Sequence, residues 1–455
     1  MRVRLFRLRT LRYITYVVLV MSVYLFWTLL WIEDTSESSN NLKVLNVPVV
    51  PKSRKVQDMT NRKSDPDINP ALKTFNCRKL FDGDRVEKTR AKKYLAENRN
   101  FTQRTNLEMR TLTENCDRYK EIRGYHTKPM SSIEEGFPLA FNILFYKNVE
   151  QLERLLRTIY RPQNQYCIHI DKKTPESVIE IVQLLTDCFD NVFIASRLEI
   201  VVYASYTRLK ADINCMEDHI ENGYNWKYLI NMAASEFPVM SNHQIVEILK
   251  SFNGANDIHE VFSTMDKNRF KKRYYTYIDL RENDGYMIHS NDLKEDPPHG
   301  LTITKGNAYN VFSIDFVKFA LSNQKARDLL SWSADTYTPD EHYWATLNNL
   351  YSNPFLHTPG GCKAHPDKKP FFGRYIGWKD SNRCHSGHFV HNICIFGMND
   401  LQTIKLRHEI IANKFDIEYD PIAYMCMEEW IRNKTINSED LPNQNVYKKL
   451  DTFQN

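Results

Sequence analysis

The stretch Pro138-Leu-Ala-Phe-Asn-Ile-Leu-Phe-Tyr146 is a short apolar run with the length and composition of a buried β-strand. The next segment carries apolar residues at the spacing of one helix face: Leu152, Leu155, Leu156 and Ile159. A strand followed by an amphipathic helix is the repeating unit of α/β folds. This stretch therefore predicts the first βα unit of such a fold.

The alternation continues for three more strands. The predicted elements are strand 166–170, helix 176–185, strand 191–195, helix 208–220 and strand 228–232. This pattern predicts a Rossmann-type, mainly parallel sheet with helices on both faces. Ligands of open sheets bind beyond the carboxyl ends of the strands, so Asp171, which follows strand 166–170, is a candidate nucleotide contact.

Glycine-rich phosphate loops are absent from the sequence, which contains neither Gly-x-Gly-x-x-Gly nor a P-loop. A dinucleotide enzyme and a P-loop ATPase are therefore disfavoured, and any polyphosphate must be held by side chains. From about Gly300 onward the hydrophobic periodicity is poor, which predicts loops that complete an active site.

The N-terminus has the pattern of a signal anchor. Five arginines come first: Arg2, Arg4, Arg7, Arg9 and Arg12. The uncharged run 13–32 matches the ~30 Å thickness of a bilayer core. The positive-inside rule predicts a cytosolic tail (1–12), a transmembrane anchor (13–32) and a luminal remainder. A cleaved signal peptide is the alternative, but Trp27 and Trp31 near the end of the run argue against a small-residue cleavage site.

The luminal part is predicted to have two segments. Residues 33–75 are rich in Ser, Asn, Pro and Lys and predict a flexible stem, whereas 76–455 predict one large catalytic domain. The chain has 61 basic and 56 acidic residues, and the five N-terminal arginines account for the difference. Nothing in this balance indicates a nucleic-acid partner.

The nine cysteines contain no Cys-x-x-Cys pair, which predicts disulfides in an oxidising lumen and one thiol left over. The residues do not say which thiol is free. Asn100 and Asn433 begin sequons for N-glycosylation.

Two adjacent carboxylates, Asp340 and Glu341, follow Pro339 and are candidates for acid–base chemistry. The alternative is that they cap a helix N-terminus, where acidic residues are favourable. Lys414 is, on charge alone, a solvated lysine. Asp65-Pro-Asp67 fits an Asp-x-Asp metal motif, but it lies in the predicted stem, so no metal site is expected.

Six blocks in order make the chain resemble the core 2 and I-branching β-1,6-N-acetylglucosaminyltransferases over roughly residues 75–430. These blocks are Phe137-Pro138, Tyr166-Cys-Ile-His-Ile-Asp171, Val202-Tyr-Ala-Ser205, Trp226-Lys-Tyr-Leu-Ile-Asn231, residues 335–346 and Ala412-Asn-Lys-Phe-Asp416. The resemblance implies a GT-A-like fold, a UDP-sugar donor, inversion without a metal, and a Golgi membrane anchor. It leaves homodimerisation open.

The resemblance also implies roles for particular residues. Glu341 would be the base that deprotonates the acceptor's carbon 6 hydroxyl, and Lys414 would stabilise the leaving diphosphate. The remaining donor-side residues are Asp171, Tyr203, Ser205 and His391. The acceptor-side residues would be Glu260, Arg269 and Trp378.

The family's cysteine pattern implies the pairs Cys77–Cys426, Cys116–Cys188, Cys167–Cys215 and Cys384–Cys394, with Cys362 free. Three departures concern substrate choice. His391 stands where core 2 enzymes have an arginine, residues 232–238 differ from the usual Cys-Gly-x-Asp-Phe-Pro, and an aromatic residue is missing two positions after Trp378.

These observations predict transfer of N-acetylglucosamine from its UDP donor in β-1,6 linkage to a glycan containing galactose or N-acetylgalactosamine, with core 1 O-glycans of glycoproteins as the expected acceptor. Transfer of glucose or xylose and I-branching of poly-N-acetyllactosamine are alternatives. An inverting glycoside hydrolase, with carboxylates about 6.5–9.5 Å apart, is a rival enzyme class. A Golgi glycan-binding protein without catalysis is the non-enzymatic rival.

Overall fold

The computed structural model describes residues 74–98, 104–223, 225–263, 265–282, 284–437 and 442–448. All of them belong to one compact unit, 65–455. The predicted tail, anchor, most of the stem and the Asn100 sequon lie outside the described residues. In the part of the chain that is described, no helix has the length and apolar character needed to cross a membrane.

The strands of the described residues are β1 Leu139–Phe145, β2 Gln165–Ile170, β3 Val192–Ile194, β4 Tyr228–Ala233, β5 Glu236–Pro238, β6 Lys272–Asp279, β7 Asp284–Leu293, β8 Val311–Ser313, β9 Arg374–Ile376, β10 Phe389–Val390, β11 Ile393–Cys394 and β12 Ile411–Asn413.

The helices are α1 Cys77–Phe81, α2 Arg85–Glu97, α3 Asn106–Thr113, α4 Cys116–Arg123, α5 Ser132–Glu135, α6 Val149–Ile159, α7 Glu176–Thr186, α8 Tyr206–Glu221, α9 Asn242–Ser251, α10 Asn268–Lys271, α11 Ile314–Ser322, α12 Gln324–Trp332, α13 Tyr343–Asn348, α14 Leu401–Lys405, α15 Pro421–Ile436 and α16 Gln444–Tyr447. Short 3-10 turns join several of them, including Pro339–Glu341.

The central sheet has the strand order β3-β2-β1-β4-β8. The first four strands are parallel, as the sequence predicts, and β8 adds an antiparallel edge beside β4. Because the chain runs outward from β1 to β3 and then returns to the other side of β1, the topological switch point lies between β1 and β4. A ligand cleft is expected beyond the carboxyl ends of these two strands.

The first helix after β1 shows why the sequence pattern succeeds. Asn148 caps α6 by accepting a hydrogen bond from the Gln151 backbone N–H at 2.9 Å. The apolar residues that predict its inner face are all buried: Leu152, Leu155, Leu156 and Ile159. Their burial against the sheet holds the helix where the periodicity places it.

A second, three-stranded sheet has the order β5-β12-β9, with β12 antiparallel to β5 and parallel to β9. The strands of this sheet are three residues each and come from distant parts of the chain, so no sequence periodicity predicts it. Its centre holds a fully buried ion pair between Arg374 and Glu236, 3.0 Å apart. Because Asn413 also donates to Glu236 at 2.7 Å, this pair fixes the end of β12.

The four disulfides are those that the resemblance implies: Cys77–Cys426, Cys116–Cys188, Cys167–Cys215 and Cys384–Cys394. Cys362 is free and buried. The longest loop, closed by Cys77–Cys426, ties α1 to α15, so the two ends of the described chain are linked covalently.

Candidate functional site

The turn Pro339–Glu341 carries the two adjacent carboxylates. Thr338, just before it, has a left-handed backbone (φ 47°), and so has Ala204 (φ 61°) in the loop before α8. The Thr338 N–H donates to the Ala204 carbonyl at 2.8 Å, which fastens the turn to that loop. A β-branched residue at positive φ is uncommon, and such strain is concentrated at functional sites.

Helix capping does not account for these carboxylates. Helix α13 starts after His342 and has no side-chain cap. Glu341 instead forms an ion pair with Arg269, whose guanidinium also donates to the Thr338 hydroxyl at 2.9 Å. Both charged side chains are about 30 % exposed, so they are desolvated in part and open to a ligand in part. Arg269, predicted from resemblance to contact the acceptor, therefore touches the predicted base directly.

A shallow cleft runs along this pair. Its lining consists of Met265, Asp266, Arg269, Phe270, Ile303, Lys305, Thr338, Glu341 and His342. Two cationic and two carboxylate side chains balance one another in this lining. Such a cleft suits a neutral ligand that offers hydroxyl groups for hydrogen bonding.

Asp340 points the other way and is buried. Its Oδ1 has no hydrogen-bond partner in the described structure. Burial raises the pKa of Asp340 to about 7, against the attraction of Arg208 and with the repulsion of Glu341 and Asp212. The sequence places Asp340 next to the predicted base. It does not indicate that Asp340 is buried, because only the fold determines which side chains of this turn face the interior.

Asp171 lies directly after β2, at the carboxyl edge of the sheet. Its Oδ1 accepts backbone hydrogen bonds from Lys173 at 3.0 Å and from Val201 at 3.2 Å. It thus fixes the loop that leads to Tyr203. Ser205 is fully buried and caps α8 through the Thr207 N–H, so its visible role is to start that helix.

Tyr203 lies between the predicted donor-side residue His391 and the predicted base Glu341. Its side chain is 65 % exposed and packs at 4.7 Å, ring to ring, on His391. Burial raises the pKa of the Tyr203 phenol, and the nearby Tyr337 and Glu341 add to this rise. Tyr203 therefore lies between His391 and the cleft.

His391 and Asn392 form the tight turn of the β10–β11 hairpin, and both have positive φ. Trp378 bridges to Ile393 of the same hairpin and is exposed. These two predicted residues are therefore brought together, beside Tyr203.

Lys414 follows β12 and is hydrogen-bonded through its backbone to Cys394 and Phe396. Burial lowers the pKa of Lys414, Asp416 opposes this and Lys147 adds to it. In the described part of the chain its amine has no carboxylate within 4 Å. A partly desolvated, unpaired ammonium with a second lysine nearby fits an anionic ligand. Lys147, which follows β1, is not among the residues that the resemblance identifies. Its position after a strand is the feature of the sequence that could have indicated it.

The structure does not bring Glu260 to the cleft. Its carboxylate is fully buried, 3.7 Å from Lys369 and hydrogen-bonded by Asn348. Burial raises the pKa of Glu260 although Lys369 opposes the rise. For metals, the His/Cys/Asp/Glu cluster found in the described residues is Cys384, Cys394 and Asp400, and its two sulfurs are joined in a disulfide. Asn433, the second sequon, is exposed on α15.

Comparison with known proteins gives one family. The family model described as "Branch: Core-2/I-Branching enzyme" matches residues 139–405. Human beta-1,3-galactosyl-O-glycosyl-glycoprotein beta-1,6-N-acetylglucosaminyltransferase 3 is 36% identical over 392 residues, which are 82% of this chain and 86% of the relative. The Bos taurus enzyme of the same name is 37% identical over 391 residues, with 82% and 85% covered. A relative from bovine herpesvirus 4 (strain LVR140) has the same identity and coverage.

Proposed function

Because the chain belongs to the Core-2/I-branching enzyme family, we propose that it transfers N-acetylglucosamine from UDP-N-acetylglucosamine in β-1,6 linkage to the core 1 O-glycans of glycoproteins. The relatives' names give the linkage and the acceptor class. The observation that carries the proposal is Glu341, a carboxylate paired in an open cleft with Arg269, whose guanidinium is itself fixed by a hydrogen bond to the Thr338 hydroxyl. Residues that hold a base rigidly are what general base catalysis requires.

The proposed reaction is a single displacement. Glu341 takes the proton of the acceptor's carbon 6 hydroxyl as that oxygen attacks the donor's anomeric carbon. The bond to the UDP oxygen breaks on the opposite face, and the electron pair leaves with the diphosphate. The product has a β linkage because the anomeric centre is inverted.

The leaving diphosphate is proposed to be stabilised by Lys414 with help from Lys147, and no metal ion is required. Lys414 is tied by its backbone to the strand that follows His391, so lysine and histidine approach from adjoining segments. Fixed cations in a partly desolvated site stabilise developing charge more than they do in water. Asp171 and Tyr203 are proposed to complete the nucleotide site beyond the carboxyl ends of the strands.

The protein is further proposed to be anchored in the Golgi membrane by residues 13–32, with its catalytic domain in the lumen. The four disulfides support an oxidising compartment. The arginine asymmetry around the span supports the orientation.

The proposal is tested by transfer assays on the full-length protein in detergent, offered UDP-N-acetylglucosamine, UDP-glucose or UDP-xylose and a core 1 disaccharide. We expect transfer of N-acetylglucosamine that persists in EDTA. An absolute requirement for Mn²⁺ would exclude the proposed lysine mechanism, and transfer of a different sugar would replace the donor. Binding of UDP without transfer to any acceptor would favour a glycan-binding protein.

A further inference from the structure

Three aromatic rings form a continuous series that starts at Tyr337 and crosses the β6–β7 hairpin. The Tyr337 ring lies 5.2 Å from the ring of Tyr274, which lies 5.0 Å from the ring of His289. Tyr274 and His289 are direct cross-strand partners. The series, here called the ring track, therefore runs from Tyr337, just before the turn Pro339–Glu341, across the two strands of the hairpin.

The ring track begins beside Arg269, which is paired with the predicted base Glu341. The Tyr337 N–H donates to the Arg269 carbonyl at 3.0 Å, and the Arg269 guanidinium lies 5.7 Å from the centre of the Tyr337 ring. The same guanidinium is paired with Glu341. One end of the ring track is thus separated by a single side chain, that of Arg269, from the carboxylate that would activate the acceptor.

The alternation of β6 separates two sets of tyrosines. Tyr274 is partly buried and faces Tyr337, whereas Tyr275 and Tyr277 are exposed on the other face of the strand. Burial raises the pKa of the Tyr274 phenol, and Asp266 and Tyr337 add to the rise. Asp266, whose charge acts on Tyr274, is one of the residues that line the cleft.

We propose that the ring track is a binding surface for the neutral sugars of the acceptor that lie beyond the sugar being modified. This rests on the proposed function and deepens it, since it makes an extended glycan a better acceptor than a disaccharide. Tyrosine and histidine rings offer an apolar face with a polar edge, which matches a pyranose ring with its apolar C–H face and its hydroxyls. The balanced charge of the adjoining cleft favours a neutral glycan over an acidic one.

The test compares two acceptors with the full-length enzyme: the core 1 disaccharide, and a hexasaccharide in which two N-acetyllactosamine units extend the galactose of the same core 1 disaccharide. Tyr274→Ala should raise KM for the hexasaccharide about tenfold and leave KM for the disaccharide within about twofold, with little change in kcat. Tyr275→Ala, one residue away on the opposite face, is the matched control and should leave both constants unchanged. Tyr274→Phe keeps the ring and should behave as the wild type.

A loss of the same size for both acceptors, or an equal loss in Tyr275→Ala, would overturn the ring track. If the wild-type enzyme transfers to neither acceptor, the proposed function fails. NMR titration of the wild-type protein and its variants with the hexasaccharide then tests the ring track by itself. Binding that is lost in Tyr274→Ala and kept in Tyr275→Ala supports the track, and equal binding by all variants overturns it.

Discussion

Among the arginine–glutamate pairs of the described residues, two lie in opposite surroundings. Arg374 and Glu236 are fully buried, and the remaining atoms of both groups are hydrogen-bonded to Gly373, Asn231, Ala233 and Asn413. Arg269 and Glu341 are each about 30 % exposed and line a cleft. The same chemical pair therefore occurs both inside the second sheet and at an open surface.

The two pairs are expected to contribute differently to stability and to activity. A buried charge that loses its partner is strongly destabilising, whereas an exposed pair contributes about 0–1 kcal/mol to stability. The buried pair is thus expected to hold β5, β9 and β12 together and, through Asn413, to position Lys414. The open pair is expected to affect activity far more than stability.

The largest effect is predicted for Glu341→Gln. Removing the base while keeping the side-chain volume should lower kcat roughly 10²- to 10⁴-fold. The melting temperature should change by less than about 2 °C, because a partly exposed pair stabilises little. Initial rates of transfer and differential scanning fluorimetry check the two parts. A Glu341→Gln variant with more than a tenth of wild-type activity would remove Glu341 from the mechanism.

The opposite pattern is predicted for Arg374→Met. Leaving Glu236 buried without its partner should cost about 3–5 kcal/mol of stability, which is a large part of a domain's total. Chemical denaturation of the purified variant measures this loss. The double variant Arg374→Met with Glu236→Met should recover most of it, because an apolar pair of similar volume can replace a buried ion pair. Without that recovery, the pair would not be acting as a unit.

Lys414→Ala lies between these two cases. Losing one contact to the leaving group should lower kcat roughly 10²- to 10³-fold, with the donor's KM much less affected. Lys405→Ala, which removes an exposed lysine paired with Asp82, is the control and should be neutral. If Mn²⁺ restores the activity of Lys414→Ala and leaves the activity of the wild type unchanged, a metal can take over the lysine's role. If the variant is as active as the wild type, the diphosphate is stabilised elsewhere.

The parallel part of the central sheet could be predicted because each strand and helix carries its own periodicity. The runs 138–146 and 166–170 correspond to β1 and β2 within one residue at each end. The sheet β5-β12-β9 could not be predicted, because three-residue strands owe their pairing to partners up to 177 residues away, as between Asn413 and Glu236. Short non-local pairs leave no periodic signal.

Resemblance to a short motif identifies Glu341, within 335–346, as a candidate site residue, and its role as a base stays a prediction. The surroundings of Glu341 could not be predicted. Nothing in the sequence indicates that Arg269 reaches Glu341 across 72 positions, or that Asp340 turns inward while Glu341 turns outward. Glu260 was predicted from a stretch of the sequence that is variable in the family. The fold places it in the interior, beside Lys369.

The smallest effect is predicted for Asp340, the other carboxylate of the turn. Its pKa is raised to about 7 by burial, with Arg208 opposing the rise and Glu341 and Asp212 adding to it. Between pH about 4 and pH 7 the folded protein keeps this proton and the unfolded chain has lost it. Wild-type stability should therefore fall as the pH rises through this window.

Asp340→Asn removes the titration and keeps the shape, so the variant's melting temperature relative to the wild type should rise by roughly 2 °C or more between pH 5 and pH 8. Asp380→Asn, at an exposed carboxylate, is the control and should follow the wild type at every pH. A constant difference between Asp340→Asn and the wild type would mean that Asp340 is ionised throughout and paired with Arg208. Asp340 would then resemble Glu236, which is buried and paired with an arginine. Glu341 would be the carboxylate of the turn that faces the cleft and not the interior.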